Sequence, residues 1–356
     1  MHFPGHNRSP SPEGDEVSND KQKLHPTQQG SADALRKAIA HSSQPGTATS
    51  GAGVLGHADK AIKSEAGKWL RDFIPGIEKY AAEEEMVKES IKQGKTFDQG
   101  EGAYEHITGF VQTYQLEDSL DQLAQPDLKS YKTFNEFFSR ALKPNARPAD
   151  SPEDPSVVVS SADCRLTVWE SVTSATEIWI KGKQFSIPHL LHDDTIAAHP
   201  SFANGCALAI FRLAPQDYHR WHSPLMGKIG PVKNISGNLY TVNPMAVRNP
   251  DVDVYTANKR AIQLINVPSL RQGEAPIPIP IVSIGAMLVG SIAFTKNPGD
   301  LVQKGEELGY FSYGGSTVAI VFPKDFIKFD EDLVNSSKNM LETVVKVGDR
   351  IGTRLQ

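Results

Sequence analysis

Hydrophobic positions divide the chain into three stretches of different texture. Over residues 1–55, apolar residues are too sparse among Ser, Pro, Gly, Gln and His to repay the ordering entropy of folding. Over residues 56–145, apolar residues recur at helical spacing. Over residues 146–356, short runs rich in Val, Ile and Thr alternate with Gly, Pro and Asn. We therefore expect a disordered leader, a helical N-terminal region and a β-rich core.

The helical region is predicted to contain three helices. The first begins near Ala61 and continues through the helix formers of KYAAEEEMVKESIKQG, and the others cover about 104–125 and 131–142. In the first, Trp69 and Phe73 lie close to Lys68, as in a helix that rests in a membrane interface. The alternative is that these apolar side chains pack on the β core.

The third region is predicted to be an antiparallel sandwich or barrel. Its candidate strands are SVVVSS, RLTVWES, EIWIKGKQFSI, CALAIFRL, LYTVNP, IPIVSIGAMLVGSIAF and STVAIVF. Strands separated by turn residues in this way argue against a doubly wound parallel sheet. The predicted fold class is α+β, with the helical region packed on a mainly antiparallel β core.

Charge bears on the class of partner, and cysteine content bears on the redox compartment. The chain has 37 basic and 42 acidic residues, a net charge of −5, and therefore no general positive field for nucleic acid. Two cysteines, Cys164 and Cys206, cannot form a disulfide scaffold, and their use is typical of a reducing compartment. We expect no nucleic-acid partner.

The pattern of apolar and acidic residues also bears on location. No stretch approaches the length of a membrane-spanning helix, and the N-terminus lacks the apolar region of a signal peptide. Glu13, Asp15 and Glu16 argue against a mitochondrial transit peptide. We expect the protein in the cytoplasm or peripherally on the cytosolic face of an endomembrane.

Two histidines lie three residues apart in FRLAPQDYHRWHSP. His219 and His222 would share one face of a helix, but could point differently in a strand or loop. The spacing indicates no metal site, because no third-ligand motif such as HExxH or CxxC accompanies it. Taken alone, each histidine could equally be a surface or hydrogen-bonded core residue.

Asp163 and Ser316 have similarly open local interpretations. Asp163, in SADCRL, could cap a turn, pair with Arg165, or orient an imidazole as in a nucleophilic triad. Ser316 follows Gly314 and Gly315, which permit close approach to a backbone carbonyl or simply form a hairpin turn. The local sequence does not choose between these alternatives.

Several segments together resemble the phosphatidylserine decarboxylase family. YGGST resembles its self-cleavage site, and FRLAPQDYHRWHSP, GNLYTVNPMAVR, IGAMLVGSI and KGEELGYF resemble its other signature segments in the same order. With FNEFFSRALKP and SADCRL, the similarity runs from about Thr133 to Gly352 and is closest to the fungal class II type without its lipid-binding N-terminal region. The run NPGDLVQKGEELGYF also resembles the hairpins of biotinyl and lipoyl carriers, which suggests a barrel-sandwich core.

The resemblance implies a specific chemistry at these residues. The Ser316 hydroxyl would attack the carbonyl of Gly315, with His222 as base and Asp163 as its orienting carboxylate. Cleavage between Gly315 and Ser316 would leave two chains held together by the sheet, and Ser316 would become a pyruvoyl group. That group does the work of pyridoxal phosphate as an electron sink, so neither this cofactor nor a metal is expected. His219, which matches the first histidine of the family's motif, is expected to reprotonate the product; the alternative is that one of the two histidines serves in both stages.

The implied substrate is phosphatidylserine, which would be bound at a membrane surface and converted to phosphatidylethanolamine and carbon dioxide. One alternative is a soluble amino-acid decarboxylase of the tryptophan type on the same scaffold. Another is a noncatalytic carrier-like module, against which the joint presence of Asp163, His219, His222 and Ser316 argues. A homodimer is a further expectation.

Overall fold

The computed structural model describes residues 100, 102–180, 185–192, 199–240, 242, 247, 253–286, 291–312 and 316–355. The predicted leader, and the predicted helix that begins near Ala61, lie outside these residues. The predicted domain boundaries therefore remain predictions.

The first described elements form a small helical unit. Helix α1 covers Ala103–Tyr114, 3-10 turns cover Glu117–Gln122 and Leu128–Ser130, and helix α2 covers Phe134–Phe138. Both helices are shorter than predicted. Helix α1 stops because Gln115 is left-handed, with φ 55°, and its N–H turns back to carbonyls of the last helical turn.

Aromatic side chains form the core of this helical unit. Phe110 packs edge-to-face on Phe134 at 5.4 Å between ring centroids, and Tyr131 packs on Phe137 at 5.4 Å. Edge-to-face pairs of this kind stabilise beyond their buried area. The last aromatic residue of this unit, Phe138, reaches the site described below.

The remainder is built from antiparallel strands and short helices. The strands of the described residues are β1 Val157–Val159, β2 Cys164–Trp169, β3 Cys206–Leu213, β4 Arg220–His222, β5 Gly227–Ile235, β6 Arg260–Val267, β7 Ile277–Gly285, β8 Ile292–Phe294, β9 Leu301–Val302, β10 Glu307–Phe311, β11 Ser316–Pro323, β12 Ile327–Phe329, β13 Thr343–Val345 and β14 Arg350–Arg354. The further helices are α3 Val172–Ile178, α4 Ile187–Leu191, α5 Val254–Ala257 and α6 Glu331–Lys338, with a 3-10 turn at Pro200–Phe202.

One large sheet dominates the core. Its eight strands run in the order β13-β2-β3-β11-β7-β6-β5-β9, beside small sheets β4-β10-β8 and β1-β14-β12. Alternate side chains of β11 serve two cores: Val318 and Ile320 pack with Trp221 of β4, whereas Ala319 and Val321 pack with residues of α3 and α4. The large sheet therefore has apolar cover on both faces.

The structure confirms the mixed α and mainly antiparallel β fold class. The barrel-sandwich detail remains a prediction. Two predicted strands differ from the structure. Within EIWIKGKQFSI, the first residues belong to helix α3, because Ser171 caps the N–H of Ser174 and Ala175 turns inward onto the sheet. LYTVNP forms no strand over its described residues, since Asn258 binds both backbone groups of Tyr240.

Strands β4, β5 and β6 are among those that were not predicted, because their sequences show no clear alternation. Strand β5 carries a register shift between Ile229 and Val232, which breaks the period of two. Strand β6 is covered on both faces and contains the buried polar residues Arg260 and Gln263. Strand β4 has only three residues, Arg220–His222.

Candidate active site

Ser316 is the first residue of β11 and lies between two neighbouring strands. Its backbone pairs with Leu213 on one side and Gly285 on the other. The side chain is fully buried, and Oγ has no hydrogen-bond partner among the described residues. A buried hydroxyl without a partner is costly, so the position fits a residue kept for chemistry. Gly314 and Gly315 lie outside the described residues.

The chain brings His219 to the same end of the sheet by two routes. Strand β3 ends at Leu213, opposite Ser316, and a short connection leads from there to His219. On the other route, Phe311 at the end of β10 donates its N–H to the His219 carbonyl at 2.9 Å, shortly before the chain enters β11. The fold therefore brings Ser316 and His219 to the same end of the large sheet.

The ring of His219 is fixed in one neutral tautomer. Its Nδ1 lies 2.8 Å from the carbonyl oxygen of Asp217, an acceptor, so Nδ1 carries the proton. The buried Nε2 has no partner among the described residues and keeps its lone pair free. Burial, helped by the charge of Arg140, lowers the pKa of His219 to about 3. The ring is thus neutral near pH 7.

Arg140 and Phe138 hold His219 from the side of the helical unit. Arg140 Nη2 donates to the carbonyls of Gln216 at 2.9 Å and of Asp217 at 3.2 Å. The Phe138 ring lies against the imidazole, with 3.9 Å between centroids. The same Asp217 carbonyl therefore joins Arg140 to His219. Sequence reasoning missed Arg140, although a lone arginine inside the apolar run FFSRAL was a usable signal.

His222 lies at the end of β4 in a different electrostatic setting. Its Nδ1 lies 2.8 Å from the carbonyl oxygen of Gly305, and its Nε2 lies 3.1 Å from the hydroxyl of Tyr218. Burial lowers the pKa of His222, but the negative charges of Glu307 and Asp163 counteract this. Of the two histidines, His222 is the one beside carboxylates, and an imidazolium is better tolerated there.

Asp163 is held by partners that the sequence did not indicate. Arg147 donates to both carboxylate oxygens, from Nε at 2.9 and 3.0 Å and from Nη2 at 2.6 Å, and the Val347 N–H donates to Oδ1 at 2.9 Å. Arg165 instead pairs with Asp217 at 3.3 Å. No described hydrogen bond joins Asp163 to His222. In the intact chain, Asp163 acts on His222 through its charge.

The turn that presents Val347 to Asp163 depends on Gly348. This glycine has φ +91°, and an added Cβ would lie 2.3 Å from the Pro148 carbonyl oxygen. The Gly348 N–H also donates to the Ser160 carbonyl at 3.1 Å. One glycine thus allows three segments of the chain to meet around the carboxylate.

Gly348→Ala is expected to lower the free energy of unfolding by about 2 kcal/mol or more, because strain adds to the clash with Pro148. Gly273→Ala is the matched control, since Gly273 has φ +86° but open space around its Cβ position. Urea denaturation of the two variants measures the difference. Equal losses would show that the contact with Pro148 contributes nothing.

Acid is expected to destabilise the fold through His219. The unfolded histidine binds a proton below about pH 6.5, whereas the folded one resists protonation down to a pKa of about 3. The stabilisation is therefore complete above about pH 6.5 and is lost as the pH falls, at up to about 1.4 kcal/mol per pH unit. Urea denaturation between about pH 7 and about pH 5 tests this. His219→Gln should show a shallower loss, and an unchanged slope would contradict the assignment.

The described residues offer neither a metal cluster nor a spanning helix. No three or more of their His, Cys, Asp and Glu side chains gather closely enough to hold a metal ion. Within the same part of the chain, no helix has the length and apolar character needed to cross a membrane.

Comparison with known proteins gives a consistent family. The family model described as phosphatidylserine decarboxylase matches residues 134–353. A relative from Oryza sativa subsp. japonica, phosphatidylserine decarboxylase proenzyme 2, is 46% identical over 74% of this chain and 40% of its own length. A Chlamydia trachomatis relative, phosphatidylserine decarboxylase proenzyme, is 40% identical over 70% of this chain and 77% of its own length.

Other relatives are much longer than the matched region. Phosphatidylserine decarboxylase proenzyme 2 of Komagataella phaffii is 44% identical over 75% of this chain, but only 25% of its own length is covered. The chain thus spans between 22% and 40% of the length of four similar plant and fungal relatives. The shared part includes the segments that carry Asp163, His219, His222 and Ser316.

Proposed function

Because the chain belongs to the phosphatidylserine decarboxylase family, we propose that it is a self-processing decarboxylase that converts phosphatidylserine to phosphatidylethanolamine and carbon dioxide. The observation that carries the proposal is the buried, unpartnered hydroxyl of Ser316 at the sheet end that His219 also reaches. No observation favours a tryptophan-type amino-acid decarboxylase, and the relatives named above are all phosphatidylserine decarboxylase proenzymes.

Self-processing begins with the transfer of a proton from Ser316 Oγ. We assign its acceptor as Nε2 of His222, since the charges of Asp163 and Glu307 favour the imidazolium that results. The Tyr218 hydroxyl, which is hydrogen-bonded to this nitrogen in the intact chain, must first move away. Ser316 Oγ then attacks the carbonyl of Gly315, and the peptide bond becomes an ester.

Elimination from the ester separates two chains, residues 1–315 and a short chain that begins at position 316. Hydrolysis of the enamine left at position 316 then releases ammonia and gives the carbonyl group. Strand β11 belongs to the short chain, whereas its neighbours β3 and β7 belong to the long one. Strand β14 of the short chain also pairs with β1 of the long chain. The hydrogen bonds of both sheets therefore support continued association.

The surroundings of position 316 fit a pyruvoyl group made from Ser316. The site is buried and offers Oγ no competing partner among the described residues. When formed, the group supplies an electron sink for loss of carbon dioxide from the substrate. We assign His219 to the proton transfer that follows. Because the Asp217 carbonyl holds the other proton on Nδ1, the free Nε2 would take up a proton that the substrate ammonium releases and return it to the product.

The proposed substrate is a membrane lipid, so the enzyme is proposed to act at a membrane surface. Its location, in the cytoplasm or peripherally on the cytosolic face of an endomembrane, remains a proposal. The region predicted to form an interfacial helix lies outside the described residues. The homodimer also remains a proposal.

Carbonyl reagents test the proposed group directly. Phenylhydrazine or hydroxylamine is expected to abolish decarboxylation of phosphatidylserine in vesicles, and intact-mass spectrometry should place the adduct on the short chain. Activity is expected to persist with a chelator and without pyridoxal phosphate. An adduct on the long chain, or full activity after hydroxylamine, would overturn the pyruvoyl mechanism. Turnover of free tryptophan in place of vesicles would overturn the lipid substrate.

A further inference from the structure

Three polar side chains form a diagonal row across the large sheet. Ser316 lies on β11, Ser283 on β7 and Gln263 on β6. Ser316 pairs with Gly285, two residues after Ser283, and Ser283 pairs with Ala261, two residues before Gln263. Each member is the diagonal neighbour of the next, so that side chains turned toward each other can meet, although no hydrogen bond joins the three in the intact chain. We call these three residues the polar row.

The polar row lies on the face of the large sheet that packs against β4, β10 and β8. Alternation along β11 puts Ser316 on the same face as Val318, which packs with Trp221 in this core. Thr317 points to the opposite face, with Ala319. Its hydroxyl is equally buried and unpartnered among the described residues, and therefore provides a comparison.

All three members of the polar row are fully buried. Both hydroxyls and both polar atoms of the Gln263 amide have no hydrogen-bond partner among the described residues. Buried polar groups normally have hydrogen-bond partners. A row of unpartnered groups that includes the reacting serine therefore indicates hydrogen bonds that form only during a later step of self-processing.

We propose that Ser283 donates a hydrogen bond to the oxygen that Ser316 gives up during self-processing, and that Gln263 orients the Ser283 hydroxyl. The inference rests on the proposed self-cleavage. Gln263 has both donors and an acceptor on its amide, so its Nε2–H can donate to Ser283 while the Ser283 hydrogen points to Ser316. Gln263 is thus a positioning residue.

The elimination step shows why a donor is needed at this place. The ester bond joins Ser316 Oγ to the Gly315 carbonyl carbon. A proton leaves Cα of residue 316 for His222, which has already given its first proton to the departing amine. The Cβ–Oγ bond then breaks, a Cα–Cβ double bond forms, and Oγ leaves with Gly315 as a carboxylate. Negative charge therefore develops on the former Ser316 Oγ, which lies on the same face of the sheet as Ser283 in the intact chain.

A neutral donor in an apolar core suits this step. A donor that is already in place needs no reorganisation as charge develops, and its effect is stronger where water is excluded. A permanent cation would instead stabilise negative charge at every stage. Ser283 can therefore favour the departing carboxylate over the uncharged ester that precedes it.

The experiment follows maturation of the full chain after cell-free synthesis. Hydroxylamine at neutral pH splits an ester but leaves an ordinary peptide bond intact. Ser283→Ala is expected to accumulate a full-length species that hydroxylamine splits at position 316, with an ester lifetime about a hundredfold longer than in the wild type. Gln263→Met should lengthen it less, and Thr317→Val should mature like the wild type.

Ser283→Thr keeps a hydroxyl at the same position and is expected to restore maturation, which separates loss of the donor from a folding defect. The inference is wrong if Ser283→Ala yields two chains at the wild-type rate. It is equally wrong if the full-length variant resists hydroxylamine, because the block would then precede the ester. A wild-type chain that never splits would instead overturn the self-cleavage proposal.

Discussion

Ser316→Ala is expected to give one folded, uncleaved chain with no detectable decarboxylase activity. Alanine has no hydroxyl to attack the Gly315 carbonyl, so neither the ester nor the reactive carbonyl can form. Intact-mass spectrometry and carbon dioxide release from phosphatidylserine vesicles measure the two losses. A Ser316→Ala chain that still splits would show that the cleavage site lies elsewhere.

The same variant is expected to keep or exceed the stability of the intact wild-type chain. The wild-type hydroxyl is buried and has no partner among the described residues. Leaving such a group unpaired costs about 1–3 kcal/mol, and alanine removes that cost while leaving only a small void. A thermal melt of the intact forms tests this. A much lower melting temperature would mean that the hydroxyl has a structural partner.

The second prediction separates the two histidines by the stage at which each acts. His222→Ala is expected to block cleavage, because the base for the Ser316 hydroxyl is lost. His219→Ala is expected to permit cleavage but to lower decarboxylation by about 10²- to 10⁴-fold, the usual contribution of a positioned acid or base. Mass spectrometry of both purified variants, followed by turnover of the cleaved one, gives the comparison.

Asp163→Asn tests the electrostatic part of this assignment. The change removes the charge that raises the pKa of His222 but nearly preserves shape, so cleavage should slow without stopping. Wild-type cleavage rates in both His222→Ala and Asp163→Asn would refute the proposed base. Failure of His219→Ala to split would assign the two histidines to one shared stage.

The sequence was most informative where hydrophobic alternation is regular. SVVVSS and STVAIVF become β1 and β11, because their runs of β-branched residues have no competing helix signal. EIWIKGKQFSI misled because its branched residues belong partly to a helix that starts at the Ser171 cap, upstream of the run. A cap outside the window decided the structure within it.

Sequence reasoning identified the candidate residues of the site but not the contacts that hold them. The motifs singled out Asp163, but its partner Arg147 lies in an unremarkable stretch before β1, and only folding brings the two together. Nor could the sequence show that Asp217 supplies a backbone oxygen to His219. Long-range contacts and main-chain acceptors of this kind produce no periodic pattern in the sequence.

The position of β11 between β3 and β7 gives the proposed cleavage a thermodynamic consequence. Before the cut, folding is an intramolecular event, and the midpoint of unfolding is independent of protein concentration. After the cut, complete unfolding releases two polypeptides, so the midpoint should rise with concentration and refolding should become bimolecular. The central strand would thus pair with its neighbours before cleavage, when folding carries no entropy cost of association. A denatured mature enzyme would refold only if its two chains associated again in solution.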